Sequence, residues 1–190
     1  MFAICFWGWC GPSGSSALSE RVVVANGLIW STEGGWLFDT NETVPNHSEV
    51  IAFNPVSKTT CSYIVPGNNN QLIGLAIVGS RPNSTVWFAE SNVLNGDVYL
   101  DRFNPDAVGD GCPGTTNELY SIAGNMRQFP WPGAGAPAQI AVDPSLNALW
   151  VTDWLGSAIY RVDTTGDDFI GYALAPRNMS SAAGAIPGRW

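Results

Sequence analysis

Positive charge is scarce in this chain. Eight lysines and arginines stand against sixteen aspartates and glutamates, giving a net charge of −8. Eight scattered cations cannot build a phosphate-binding face, so no nucleic-acid partner is expected. Anionic membrane surfaces are disfavoured on the same ground. Charged residues of both signs make up only 13%, low for a soluble domain. Histidine occurs once, as His47, so a mechanism needing two imidazoles has no material. The four cysteines, Cys5, Cys10, Cys61 and Cys112, show no Cys-x-x-Cys spacing, which argues against a zinc knuckle. Nucleophile elbows, phosphate-binding loops and metalloprotease motifs are missing too. The apolar opening, Met1 to Cys10, is too short to span a bilayer. It reads either as a signal-peptide core before the small residues Ser15-Ser16-Ala17 or as a buried or truncated edge segment. No membrane span is expected elsewhere.

What is abundant is turn and aromatic material. The 190 residues include 21 Gly, 13 Pro and nine Trp, and 45% are apolar. Gly and Pro punctuate every segment, so no long helix is expected. Three segments line up around a Trp: Leu28-Ile29-Trp30-Ser31-Thr32-Glu33, Thr85-Val86-Trp87-Phe88-Ala89-Glu90 and Ala148-Leu149-Trp150-Val151-Thr152-Asp153. Each places a carboxylate three positions after the Trp, is β-branched or aromatic, and is bounded by turn residues, which reads as a strand. A second strand follows each, over residues 50–55, 99–105 and 159–164, and closes on Asn54, Asn104 or Asp163, whose side chains suit turns. A further strand precedes each Trp strand, at 21–25, 72–78 and 139–142. An outer strand follows, at 60–65, 118–122 and 169–174. Four antiparallel strands per copy, repeated about every sixty residues, make the blade of an all-β propeller. Blades are expected at 21–67, 68–136 and 137–176, with an apolar N-terminal segment at 1–20 and an Ala/Gly/Ser-rich tail at 177–190.

The second copy, Trp87-Phe88-Ala89-Glu90 followed by Gly96-Asp97-Val98-Tyr99-Leu100-Asp101-Arg102-Phe103-Asn104, resembles the repeat of the streptogramin B lyase-like propellers. The third, Gln139-Ile140-Ala141-Val142-Asp143 through Trp150-Val151-Thr152-Asp153, is similar to that repeat and to NHL and gluconolactonase-like blades. The resemblance spans about residues 21–175 and is specific for the fold rather than for an activity. It implies rings of six or seven blades. Three blades cannot close a ring, since four or more are needed. The favoured reading is a fragment of a longer propeller. The alternatives are a ring or stack built with other chains, or a fourth blade completed by residues 1–20 and 176–190.

The lyase resemblance implies elimination at a cyclic depsipeptide lactone, aided by magnesium, His and Glu. His47, in a long loop among Pro45, Asn46 and Ser48, reads instead as an exposed loop residue, and no second His completes the set. The lactonase-like branch implies a divalent cation, calcium or magnesium, held by oxygen ligands. The candidates are Glu33, Glu90 and Asp153, one per blade; the competing reading is that each accepts turn amides structurally. The lactonase signature is absent where Pro137-Ala138-Gln139 stands. No catalytic residue and no certain cofactor are assigned. Asn41, Asn46, Asn83 and Asn178 head glycosylation sequons. Cys61 and Cys112 are the expected disulfide, because neighbouring blades bring their segments together at the periphery. Phe129-Pro130-Trp131-Pro132 offers either a sugar- or partner-stacking surface or blade packing. The expectation is a secreted or surface-exposed binding scaffold for a protein or small-molecule ligand, with self-association through open blade edges. The alternative is a lyase or lactonase whose catalytic His and metal ligands lie in missing blades.

Overall fold

The computed structural model describes residues 19–33, 47–67, 70–92, 96–109 and 117–174. Thirteen strands lie among them. The first blade is β1 (Ser19–Ala25), β2 (Leu28–Glu33), β3 (Ser48–Asn54) and β4 (Thr59–Val65), in sheet order. Asn26 and Gly27 both take positive φ, 54° and 76°, the conformation that joins two twisted strands through a two-residue turn. The second blade is β5 (Asn70–Val78), β6 (Thr85–Asn92), β7 (Val98–Phe103) and β9 (Arg127–Pro130). The third is β10 (Ala136–Asp143), β11 (Ala148–Trp154), β12 (Ala158–Asp163) and β13 (Phe169–Ala173). Within each blade every neighbouring pair is antiparallel. A bulge interrupts the innermost pair at the same place each time, just before Val22, Leu75 and Ile140.

The three Trp sit third in β2, β6 and β11 and pair across to Ala52, Arg102 and Arg161. The expected turns form as well: Asn54 Oδ1 accepts from the Val56 amide at 3.0 Å, Asn104 Oδ1 from Asp106 at 2.8 Å and Asp163 Oδ1 from Asp167 at 2.9 Å.

The blades stack face to face. The inner strand β5 lies between β1 and β10. One core joins Trp30, Val50 and Tyr63 of the first blade to Leu75, Val86, Phe88 and Phe103 of the second. The other joins Trp87, Leu100 and Phe129 of the second blade to Ile140, Leu149, Val151 and Val162 of the third. Because side chains alternate along a strand, each blade sends its Trp face forward and receives its predecessor on the opposite face.

The outer strand of the second blade is not residues 118–122 as the sequence suggests. That role belongs to β9. Residues Glu118–Ser121 form β8, which crosses to the first blade and pairs in parallel with β4, Cys61 opposite Glu118. This fifth strand covers an edge that would otherwise present unpaired amides. Ile122, just beyond it, is fully buried in the first core, and Tyr120 stacks on Tyr63 at 5.6 Å. Gly109 makes the crossing possible: its φ is +76°, and a Cβ there would sit 1.9 Å from the Tyr120 ring. Gly109→Ala combines backbone strain with a clash, and its expected cost is about 2–3 kcal/mol. A urea midpoint unchanged by the substitution would contradict this placement of β8. No helix among the described residues is long and apolar enough to cross a membrane.

Candidate functional site: carboxylates between the blades

The register that fixes the Trp also fixes the acids. Glu33, Glu90 and Asp153 each lie three residues after the Trp, so they fall on the opposite face of the blade, the one that receives the preceding blade. Successive blades therefore separate them, and each has its own surroundings. Among the described residues no three His, Cys, Asp or Glu side chains form a group able to hold a metal ion.

Glu33, on the outward face of the first blade, pairs across to Glu49. Burial raises its pKa, the Glu49 charge raises it further, and His47 opposes both. His47 is half-buried and not the exposed loop residue its sequence neighbours suggest. Its Nε2 lies 2.6 Å from Glu49 Oε1, because β3 begins one residue later and fixes both side chains at the strand end.

Glu90 is enclosed between the first and second blades, 4% exposed. Asp101, on the neighbouring strand and fully buried, shares its face: Glu90 pairs with Tyr99, and Asp101 lies two residues on. Gln128 of β9 pairs with Asp101 and donates through Nε2 to Glu90 Oε2 at 3.4 Å. Neither Asp101 oxygen has a hydrogen-bond partner of ordinary geometry, yet its carboxyl is electrostatically linked to Glu90. Burial first, then Glu90, pushes its pKa up to about 10. Burial raises Glu90 as well. Asp101 therefore retains its proton through neutral pH, and the two carboxyls titrate as a pair. Sequence reasoning missed Asp101; its signal was an acid two residues from Phe103 and next to Leu100 inside a strand.

Asp153 is enclosed between the second and third blades, 6% exposed. Glycines surround it: a Cβ at Gly133, Gly135 or Gly156 would approach its carboxylate to 2.1, 2.4 or 2.0 Å. The Gly135 amide donates to Oδ2 at 3.5 Å. The segment 133–136, legible only as a loop, is thus a close-fitting cup for this carboxylate. Phe129 and Trp131 beside it are core residues of the second interface, and Trp131 lies edge-on to Tyr160 at 4.6 Å. That settles their role as blade packing.

Among the sequon asparagines, Asn83 lies in an exposed turn, while Asn41, Asn46 and Asn178 lie outside the described residues. Cys61 is fully buried on β4. Cys112 lies outside the described residues, as do Cys5 and Cys10.

The comparisons with known proteins bear on the fold. No family model matches the chain, and no curated protein matches it either. Among solved structures, a streptogramin B lyase structure superposes with a TM-score of 0.54 at 20% identity, covering 87% of this chain and 43% of that one. A catalytically inactive virginiamycin B lyase from Staphylococcus aureus with quinupristin aligns at 17% identity and a TM-score of 0.37, covering 82% of this chain and 55% of that one. The described residues thus form part of a β-propeller, and the chain spans less than half the length of the lyase structure it superposes on.

Proposed function

We propose that the chain is a secreted or surface-exposed interaction scaffold, built as one portion of a propeller. The observation that carries this reading is the enclosure of its acids. Glu90, Asp101 and Asp153 are sealed between sheets, where they fit blade to blade and do not meet solvent-borne substrate. What the array offers a protein or small-molecule ligand is its strand-end loops and its open faces. The expected result is that a streptogramin B-type cyclic depsipeptide stays cyclic when incubated with the chain and magnesium, followed by chromatography. Ring opening would overturn the scaffold reading.

The extracytoplasmic setting is tied to a Cys61–Cys112 disulfide. Its support is the β4–β8 pairing, which sets Glu118 opposite Cys61, only six residues after Cys112. A bridge closing a loop of about fifty residues is worth roughly 4 kcal/mol in the chain-entropy model, and it would persist only in an oxidising compartment. Peptide mapping of the unreduced protein is expected to recover the two residues linked. Free thiols at both positions would remove the bridge and the localisation argued from it.

A further inference from the structure

The two inner interfaces follow one rule, and the rule leaves a matched pair of faces at the ends of the array. In each blade the Trp of the second strand packs against an aromatic of the outer strand: Trp30 stacks on Tyr63 at 6.0 Å, Trp87 stacks on Phe129 at 5.6 Å, and Trp150 meets Tyr172 at a tilt, 5.7 Å away. The register makes the three pairs equivalent. The first two are packed against the next blade. The third faces outward, with Trp154 57% and Tyr172 46% exposed.

The receiving face is equally regular. In the second and third blades it is built from Leu75, Val86 and Phe103, and from Ile140, Leu149 and Val162. The same register positions in the first blade are Val22, Ile29 and Phe53. Val22 is 58% exposed there, and Val24 beside it 75%.

A polar contact obeys the same rule. Arg102 lies 5.4 Å over the Trp87 ring, and its Nη1 donates to the Thr164 carbonyl of the next blade at 2.8 Å. Arg161 holds the equivalent position on the outward face of the third blade, and its Nε is buried with no hydrogen-bond partner. The residue equivalent to Thr164 in the first blade is Pro55, directly after the Asn54 turn.

We propose that a second copy of this chain covers these faces, and that two copies close head to tail into a six-bladed ring. The outward Trp face of each copy's third blade packs on the receiving face of the other's first blade, with Arg161 donating to the Pro55 carbonyl across each contact. The occupant follows from the register: one chain carries both halves of the interface already repeated twice inside it. A heterologous contact that returns on itself after two copies makes a closed dimer with two identical interfaces. Apolar burial at both contacts drives the closure.

Sedimentation of the full chain over a wide concentration range tests this. The expected result is a species of twice the chain mass. Two substitutions at exposed positions, one per face, probe the contact without touching the inner cores: Trp154→Glu on the outward Trp face and Val24→Glu on the receiving face. Each alone is expected to weaken dimerisation more than tenfold, with an unchanged thermal unfolding profile for the monomer. Mixed together they are expected to recover partial dimerisation, because the mixed pair retains one intact interface. A monomer at every concentration would overturn the proposal and assign the faces to other blades or another protein. Open-ended polymers, or dimers indifferent to both substitutions, would overturn it as well.

Discussion

Trp87→Ala is expected to cost about 3–5 kcal/mol, enough to unfold a domain of ordinary stability or leave it marginal. The ring is fully buried in the contact between the second and third blades. Phe129 stacks on it with planes 20° apart, and Arg102 lies over both rings, 5.4 and 5.5 Å from their centroids. Truncation therefore opens a cavity, strips Phe129 of its stacking partner and leaves the Arg102 guanidinium over the Phe129 ring alone. The contact with the third blade weakens as a unit. The indole Nε1 is buried without a hydrogen-bond partner, so Trp87→Phe removes area without orphaning an acceptor and is expected to cost about half as much. The equivalent Trp150 gives the control. Half-buried on the outward face, it has a tilted ring contact with Tyr172 and donates a 3.4 Å hydrogen bond to Asp143. Trp150→Ala is expected to cost about 1 kcal/mol in the isolated chain. Urea unfolding of the two alanine variants measures the difference. Equal costs would contradict the assignment of one Trp to an inner interface and the other to an open face.

The Trp strands were legible because one residue type recurs at one strand position, and because alternation then dictates which neighbours share its face. The Asx turns were legible for a local reason: an Asn or Asp closes its own turn with its own side chain. The outer strand of the second blade was not. Residues 118–122 carry a strand pattern in the right place in the chain, and nothing local marks them for another sheet. Their partner is β4, more than fifty residues earlier, and a parallel pairing at that distance leaves no signature in either segment. The segment that replaces them, Arg127–Pro130, looks like a Pro-flanked aromatic cluster. Its Phe129 is the counterpart of Tyr63 and Tyr172, and this became visible only once the strand was assigned.

The acids show a sharper limit. Glu90 and Asp153 were found from the repeat, since the spacing from Trp fixes their register. What they do was not legible, because register gives the face of a blade and not what lies across it. Glu90 meets Asp101 and Gln128; Asp153 meets a glycine cup; Glu33 meets Glu49 and His47. Three equivalent positions acquire three environments from loops and strands that the repeat does not share. Asp101 itself escaped because an acid inside a strand normally points to solvent, and only the stacking of one blade on another turns that side chain inward.

That inward turn makes the stability of the protein depend on pH in an unusual direction. Burial raises the Asp101 pKa from 3.8 to about 10, with Glu90 adding to the shift, and Glu90 moves the same way. A raised folded-state pKa means that the folded chain keeps a proton which the unfolded chain releases. The stabilisation is complete below about pH 4 and is lost progressively as pH rises toward 10. The proton retained on Asp101 contributes a slope of at most about 1.4 kcal/mol per pH unit, so the expected loss between pH 5 and pH 8 is about 2–4 kcal/mol. Asp143, whose hydrogen bond from Ser145 is the largest influence lowering its pKa, acts in the opposite sense. Its titration is finished below this window. Asp101→Asn keeps the shape and removes the ionisable proton, so the variant is expected to lose most of the slope and to be more stable than the parent at pH 8. Glu90→Gln removes the neighbouring charge but not the burial, and is expected to flatten the slope only in part. Thermal unfolding of all three proteins at half-unit steps from pH 5 to pH 8 provides the measurement. A parent protein with a flat profile, or an Asp101→Asn variant as steep as the parent, would show that the carboxyl between the first two blades is ionised and solvated, contrary to the burial described.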